Sequence, residues 1–337
     1  FENLGRKINS VYPDYYPFIP SDESFLIFNS TRDEASNQMP NGHFLSNIYM
    51  SGVESGEFKT AKLINQTINS KEDIEEVVGL NSKGDRAIIY KEIFPKSSDI
   101  YECKIVSNRV ESMTKLPKTI NSKYVEIAAS LSSDGSRMYF ASDRPEGYGG
   151  VDIYMCQRLP NGSWSQAQNL GPTINTIEDE DFPNISPDGK VLYFSSKGHT
   201  SMGGYDIFKA SWNHPKGKFG AIRNIGYPIN TPEDNMNFRV SASGRHGYIS
   251  ALRKEGVGDL DIYRVTFREV EPEYTVITGR IKTTENDKKL DNALISVTDE
   301  ETGDIFGDYM PNTETMRYVI ILPPGKFEIF VECEGHE

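Results

Sequence analysis

The segment Ile185-Ser186-Pro187-Asp188-Gly189-Lys190-Val191-Leu192-Tyr193-Phe194-Ser195-Ser196, with Gly203-Gly204-Tyr205-Asp206-Ile207-Phe208 close behind it, is one copy of a pattern that this chain writes five times. The pair Ile-Asn opens each copy, at Ile8, Ile68, Ile120, Ile174 and Ile229. Ile followed by Tyr or Phe recurs at Ile48, Ile100, Ile153, Ile207 and Ile262, with spacings of 52, 53, 54 and 55. A period near this length with β-type composition predicts a propeller with one blade per copy. Repeats of this kind recognise partners more often than they transform substrates.

Each part of the copy has a physical reading. Pro187-Asp188-Gly189 is turn chemistry: Pro presets φ, Asp accepts local N–H groups and Gly takes positive φ cheaply. Ser133-Asp134-Gly135 repeats it, and Ser82-Lys83-Gly84 and Ala242-Ser243-Gly244 are weaker versions. Val191-Leu192-Tyr193-Phe194 is apolar on both faces, so this strand must be covered on both sides, as a sheet packed between two neighbours is. The glycines of Gly149-Gly150 and Gly203-Gly204 permit a tight bend or a close backbone approach. The Asp that follows recurs as Asp99, Asp152, Asp206 and Asp261, with Asn47 in the first copy. Five recurrences favour a structural role, accepting N–H groups in a turn, because catalysis needs a residue once. The asparagines Asn9, Asn69, Asn121, Asn175 and Asn230 are structural by the same reasoning. A fourth strand runs from Trp164 to Gly171 and from Phe219 to Gly226, giving four antiparallel strands per blade.

The fifth copy stops after its third strand, at Asp261 to Phe267, while the chain opens on Phe1-Glu2-Asn3-Leu4-Gly5. Those residues resemble the end of a fourth strand, Asn169-Leu170-Gly171. The N-terminus is therefore expected to supply the missing strand and close the ring, leaving no open sheet edge.

Charge divides the chain. Residues 269–337 carry 16 acidic and 6 basic side chains, and residues 1–268 carry 33 and 30. This predicts a propeller over 1–268, a linker over 269–274 and an acidic β-sandwich over 275–337. In the last, Thr275 to Ile281 and Leu290 to Asp299 read as strands, Thr302-Gly303 as a turn, and Tyr318–Leu322 with Lys326–Cys333 as a hairpin about Pro323-Pro324-Gly325. The sandwich reads as one strand short, and the opening on Phe1 without a signal-peptide pattern reads as a trimmed piece of a longer protein. Neither region clusters Lys and Arg as a nucleic-acid surface does. Cys103, Cys156 and Cys333 have no metal or redox spacing and are expected to be free thiols.

No hydrolase elbow, zinc-protease motif or phosphate-binding loop occurs. The histidines (His43, His199, His214, His246, His336) are scattered. Glu178-Asp179-Glu180-Asp181 is the one dense carboxylate run; it reads as a solvated loop, with Ca²⁺ coordination the alternative. Asp143-Arg144 reads as a local ion pair. Arg144, Tyr148 and Tyr205 lie by glycine-rich loops at blade ends and are the candidate interaction residues. The Lys96-Ser97-Ser98 substitution of the bend and the long loop from Ser36 to Leu45 are further candidates.

The repeat Ile-Ser-Pro-Asp-Gly-Lys with Leu-Tyr-Phe-Ser-Ser and Gly-Gly-x-Asp-Ile-Phe resembles the WD40-like repeat of TolB-type periplasmic propellers. The Leu-Pro-Pro-Gly-Lys-Phe stretch at 322–327 resembles the carboxypeptidase regulatory-like domain, a transthyretin-like sandwich. Together and in this order they resemble the middle of PorE-type proteins of Bacteroidetes, which carry helical repeats before and an OmpA-like peptidoglycan-binding domain after. The resemblance implies an all-β chain: a five-bladed propeller and a small sandwich, periplasmic and associated with the outer membrane. It implies a non-enzymatic scaffold without cofactor, whose partners are cell-envelope or type IX secretion proteins, with peptidoglycan reached only through a flanking domain. The alternatives are a glycan-binding propeller and a five-bladed glycoside hydrolase. Hydrolysis needs two carboxylates that break the repeat on the central funnel, and none stands out. Glycan binding needs equivalent aromatics; Tyr12 and Tyr124 correspond, but Thr176 and Thr231 replace them elsewhere.

Overall fold

A computed structural model describes the chain apart from residues 33–37, 40–43, 65–67, 94–96, 107–108, 214–216, 268–274, 283–292, 312–315, 324 and 334–337. Linker 269–274, Lys96, His43, His214, His336 and most of the 36–45 loop therefore lie outside the described residues.

Five antiparallel sheets follow one another in chain order. Sheet 1 holds Asp14–Phe18, Phe25–Ser30 and Asn47–Glu54, the last flanked by Glu57–Phe58 and Lys62–Leu63. Sheet 2 holds Ile74–Leu80, Arg86–Ile93, Ser97–Val106 and Arg109–Lys115. Sheet 3 holds Glu126–Leu131, Arg137–Ser142, Asp152–Gln157 and Gln168–Asn169. Sheet 4 holds Glu180–Ile185, Val191–Ser196, Asp206–Asn213 and Lys218–Asn224. Sheet 5 holds Arg239–Val240, His246–Ala251 and Asp261–Thr266, and its outer strand is Glu2–Asn3 from the other end of the chain.

The second strands are buried on both faces, as an apolar run requires: Leu26, Ile27, Phe28, Ile88, Ile89, Phe140, Leu192 and Phe194 are all essentially inaccessible. Their cores lie between sheets. One cluster joins Ile27 and Ile48 of sheet 1 to Val77 and Ile89 of sheet 2, and another joins Ile207 of sheet 4 to Phe238 and Ile249 of sheet 5. Sheet 5 meets sheet 1 where Ile262 packs with Ile8, Leu26 and Phe28. The turns between first and second strands place Gly84, Gly135, Gly189 and Gly244 at φ of 72°, 68°, 69° and 67°, a region costly for any residue with a Cβ. Gly149 and Gly203 serve close approach instead: a Cβ there would meet the Glu178 and Pro232 carbonyl oxygens at 1.9 and 2.1 Å.

Glu2 and Asn3 pair with Arg264 and Tyr263, and the Leu4 N–H donates to the Ile262 carbonyl at 3.2 Å. Asn3 Nδ2 donates to Asp261 Oδ2 at 2.8 Å, and Arg264 pairs with Glu2 at 2.6 Å.

The C-terminal region has a two-stranded sheet, Thr275–Arg280 with Arg317–Leu322, and a three-stranded sheet in the order Ile305–Tyr309, Leu294–Asp299, Phe327–Glu332. They share a core of Ile295, Val297, Ile320 and Leu322. The expected hairpin does not form. Arg317–Leu322 pairs with Thr275–Arg280, whereas Phe327–Glu332 pairs with Leu294–Asp299. A proline has no N–H to continue a ladder, and between Leu322 and Phe327 the chain passes from one sheet to the other. Arg317 reaches Asp22 of sheet 1 at 2.9 Å. Cys103, Cys156 and Cys333 are free; burial pushes the first two thiols up to about 12 and about 11.

Deleting residues 1–5 removes a strand, the Asn3–Asp261 bond and the Glu2–Arg264 pair, so the melting temperature should fall by several degrees. An unchanged value by differential scanning calorimetry would show that sheet 5 needs no outer strand.

Candidate functional site

The site is built on the way one sheet hands over to the next. In every copy the Asn side chain pairs like a strand with the backbone of the landmark Ile. Asn175 Oδ1 accepts from the Ile153 N–H at 2.8 Å, and its Nδ2 donates to the Ile153 carbonyl at 3.0 Å. Asn9 does the same with Ile262, Asn69 with Ile48, Asn121 with Ile100 and Asn230 with Ile207. The next residue donates its N–H to a side chain that starts the following sheet: Ser10 to Asp14, Ser70 to Glu75, Ser122 to Glu126, Thr176 to Glu180 and Thr231 to Asn235. All five acceptors are buried.

The recurrent Asp residues organise the loops before third strands. Asp152 accepts from the Tyr148 and Gly149 N–H groups at 2.6 and 3.0 Å and from Asn169 Nδ2 at 2.7 Å. Asp206 and Asp261 make matching bonds to Met202 and Asn224, and to Val257, Gly258 and Asn3. Asp99 instead accepts from Lys115 Nζ at 2.6 Å, and Asn47 donates to the Leu45 carbonyl at 3.2 Å.

Arg144 is committed within its own sheet. It stacks on Phe140 and Tyr154, donates to the Thr119 and Ile120 carbonyls, and pairs with Glu126 at 3.1 Å. The expected Asp143–Arg144 pair is thus replaced: Asp143 accepts from the Val125 N–H at 2.8 Å. Arg32 repeats the arrangement over Phe28 and Tyr49 with Asp14, and His199 does so between Phe194 and Phe208 with its Nε2 at 2.9 Å from the Ile174 oxygen.

In antiparallel four-stranded sheets, the loops joining second to third strands and fourth strands to the next sheet emerge at one end, here the entry end. The Asp-Gly turns lie at the other, the turn end. First strands bulge just after their opening acid, at Tyr15/Phe18, Val77/Gly79, Glu126/Ala128 and Asp181/Asn184. Tyr16, Phe182 and Asn237 sit there at positive φ of 52°, 48° and 55°, a strained conformation that tends to collect at working sites. The residue before each is unlike its counterparts: Tyr15, Glu76, Ile127, Asp181 and Met236. This column holds the two symmetry-breaking carboxylates that sequence reading did not find.

Tyr15 donates to Glu76 Oε1 at 2.7 Å and lies 2.8 Å from Ser46 Oγ. Burial raises Glu76, opposed by its bonds with Tyr15 and Ser46. Asp181, 3% exposed, is pushed up to about 7 by burial, with the Asp179 charge adding and the Phe182 N–H and Lys197 opposing. Burial also raises Tyr16 and Tyr205; Glu76, Asp181 and Asp234 add to the first, and Asp181, Asp179 and Asp234 to the second. The Tyr16 and Phe182 rings meet at 4.5 Å, packed with Ala128, Ile127 and Met236. Tyr205 thus joins this group, with Lys197 over its ring at 4.6 Å. Tyr148 stands apart, half exposed on its own loop.

The acidic run is not a solvated loop. Glu180 and Asp181 are buried, and Asp179 accepts from the Val151 N–H at 3.0 Å and pairs with Lys197 at 2.8 Å. Among the described residues, no group of three or more His, Cys, Asp or Glu could hold a metal ion.

Around this centre the entry end exposes apolar side chains. Ile177 is 83%, Tyr227 81%, Leu252 69% and Val11 59% exposed, and Met202 and Tyr148 about half. No repeat rule demands them.

No family model matches the chain, and no curated protein matches it. Among solved structures, TolB from Acinetobacter baumannii is similar at 16% identity and a TM-score of 0.40, over 84% of this chain and 61% of that one. A TolB-type chain from Agrobacterium tumefaciens is similar at 13% identity and a TM-score of 0.45, over 93% and 90%. A thermostable family-43 glycoside hydrolase is similar at 13% identity and a TM-score of 0.50, over 80% and 94%. The last shows a shared fold. The expectation of a chain that is no enzyme is corrected by it: the architecture is one that enzymes also use, and absence of linear motifs is a poor guide where active groups come from different sheets.

Folding raises the Asp181 carboxyl from its ordinary value near 3.8 to about 7. Between those values the folded chain holds the extra proton, so stability falls as pH rises from about 4 to about 7. Asp181→Asn keeps the shape of the protonated acid and should flatten the decline. Melting curves from pH 4 to 8 test this; parallel profiles for both proteins would place the titration elsewhere.

Proposed function

We propose that the five sheets are the blades of one closed propeller, and that the chain is an interaction scaffold whose working surface is the entry end. The supporting observation is the collection of exposed apolar side chains, Val11, Tyr148, Ile177, Met202, Tyr227 and Leu252, on loops of that end. Aliphatic side chains around a buried aromatic and acidic centre suit a protein partner with apolar anchors and a basic group. Exposed apolar patches of this kind commonly mark protein contacts. The repeat and the C-terminal stretch, by their resemblance to TolB-type and carboxypeptidase regulatory-like sequences, support a periplasmic, outer-membrane-associated setting with envelope or type IX secretion components as partners. No helix among the described residues is long and apolar enough to cross a membrane.

A second reading rests on Glu76 and Asp181. A carboxylic acid that keeps its proton near neutral pH, with a second carboxyl group in the same column, is the chemical requirement for glycoside cleavage. Asp181 is almost fully buried, so scaffold binding takes precedence.

An affinity capture from solubilised cell-envelope extract, read by mass spectrometry, separates the two readings. The wild-type chain should enrich a defined set of envelope proteins, and Ile177→Asp with Leu252→Asp should reduce that set about tenfold or more at an unchanged melting temperature. Equal capture by both proteins would remove the entry end as the working surface. Release of reducing sugar from envelope glycans that Asp181→Asn abolishes would instead establish the second reading.

A further inference from the structure

A different group lies at the turn end of the same axis. Counted from the buried acceptor that opens each sheet (Asp14, Glu75, Glu126, Glu180, Asn235) as the first, the fifth position reads Phe18, Gly79, Ser130, Asn184 and Arg239. Gly79 and Ser130 are small, and the Arg239 guanidinium lies over the Phe18 ring at 4.2 Å. Arg239 is 4% exposed. Its Nε donates to Asn237 Oδ1 at 2.8 Å, and Nη1 lies 3.5 Å from the Pro183 oxygen. Its Nη2 is buried and meets no acceptor of the protein. No carboxylate pairs with it among the described residues, and burial alone pulls the group down to about 9, still cationic at neutral pH.

Two further donors share the pocket. Ser21 and Ser82 occupy one repeat position, with Ser133 in sheet 3 and Pro187 and Ala242 in sheets 4 and 5. The Ser133 hydroxyl donates to the Pro187 carbonyl of the neighbouring sheet. The Ser21 and Ser82 hydroxyls are buried without a partner. A cavity of about 40 Å³ is lined by Ser21, Ser82 and Arg239, with Phe18, Leu80 and Leu131 as apolar walls. Roughly 10–15 Å³ of such space holds one water, so the cavity suits one compact ion.

We infer that Arg239, Ser21 and Ser82 form a binding site for a compact monovalent anion, a halide or a single carboxylate group, at the turn end of the axis. A buried cation needs an opposite charge or full solvation. Three unpaired donors lining one partly open pocket, with no carboxylate among its lining residues, supply the complement of an anion. An anion there ties sheets 1, 2 and 5 together across the axis.

The test uses the whole chain in sodium fluoride, chloride, bromide and acetate at matched ionic strength. The wild-type melting temperature should rise by roughly 3 °C for each tenfold increase in the preferred free anion, as expected for a ligand bound only by the folded state. Arg239→Met should abolish that anion-specific slope. Ser21→Ala with Ser82→Ala, which leaves the guanidinium in place, should shift the response to about tenfold higher concentration and serves if Arg239→Met does not fold. A bromide crystal should show anomalous scattering beside Arg239 Nη2. A response to chloride and bromide assigns a halide; a response to acetate alone assigns a carboxylate. An equal slope in Arg239→Met, or an unshifted response in the double serine variant, overturns the proposal, whatever the crystal binds.

Discussion

The structure depends on one contact made five times: a buried Asn amide that pairs with both backbone groups of an Ile in a third strand. Each pairing satisfies an N–H and a C=O that would otherwise be orphaned in the interior, where an unmet group costs about 1–3 kcal/mol. Its position matters more than its energy. The Asn lies on the connection leaving one sheet, and the following Ser or Thr binds the acid, or in one case Asn235, that opens the next. These bonds fix where each sheet ends and where its neighbour starts. Sheet 5 uses the same device with Asn9 and Ile262, 253 residues apart in the chain. The junction of sheet 5 with sheet 1 therefore needs no special chemistry; the ordinary hand-over is made by the two ends of the repeat array.

Much of this was legible because it repeats. The Ile-Asn and Ile-Tyr landmarks, the Asp-Gly turns and the doubly apolar second strands each encode a local geometry. The recurrence of Asn175 and its counterparts is plain in the sequence, but the pairing with Ile153 is not, since a side chain that mimics a strand leaves no periodic trace. The Pro323-Pro324 crossing was misread as a hairpin because a Pro-Gly stretch between two apolar runs fits a turn equally well. Which strands pair is decided by the small core about Ile295 and Ile320. The strand Ile305–Tyr309 is hard to see in the sequence for a related reason: Ile305 and Phe306 are exposed, and only Tyr309 packs on the core.

The groups with chemical character were the least legible. Glu76, Asp181 and Arg239 look like ordinary surface charges in sequence. Only the register shows that each replaces an apolar or small residue in a column facing the axis. The signal was available as a failure of the repeat: columns that read Tyr, Glu, Ile, Asp, Met and Phe, Gly, Ser, Asn, Arg obey no packing rule. Arg144 misled in the opposite direction. Its neighbourhood looked like a loop at a blade end, yet Arg32 and His199 occupy equivalent seats, and a side chain held by its own sheet has little left for a partner.

In the proposed ring the two ends of the axis differ in chemistry, and this limits what the axis can do. Carboxyl groups and tyrosines gather at the entry end, beside a plug made by Tyr16, Phe182, Ile127 and Met236. An unpaired guanidinium and two hydroxyls occupy the turn end, walled by Phe18, Leu80 and Leu131. Passage of a solute along the axis would require both apolar layers to part, at the cost of contacts shared by several sheets. The polar groups therefore act where they stand. In the proposed scaffold those at the entry end shape the surface for recognition, and Arg239 at the turn end, buried and cationic, holds the proposed counter-charge.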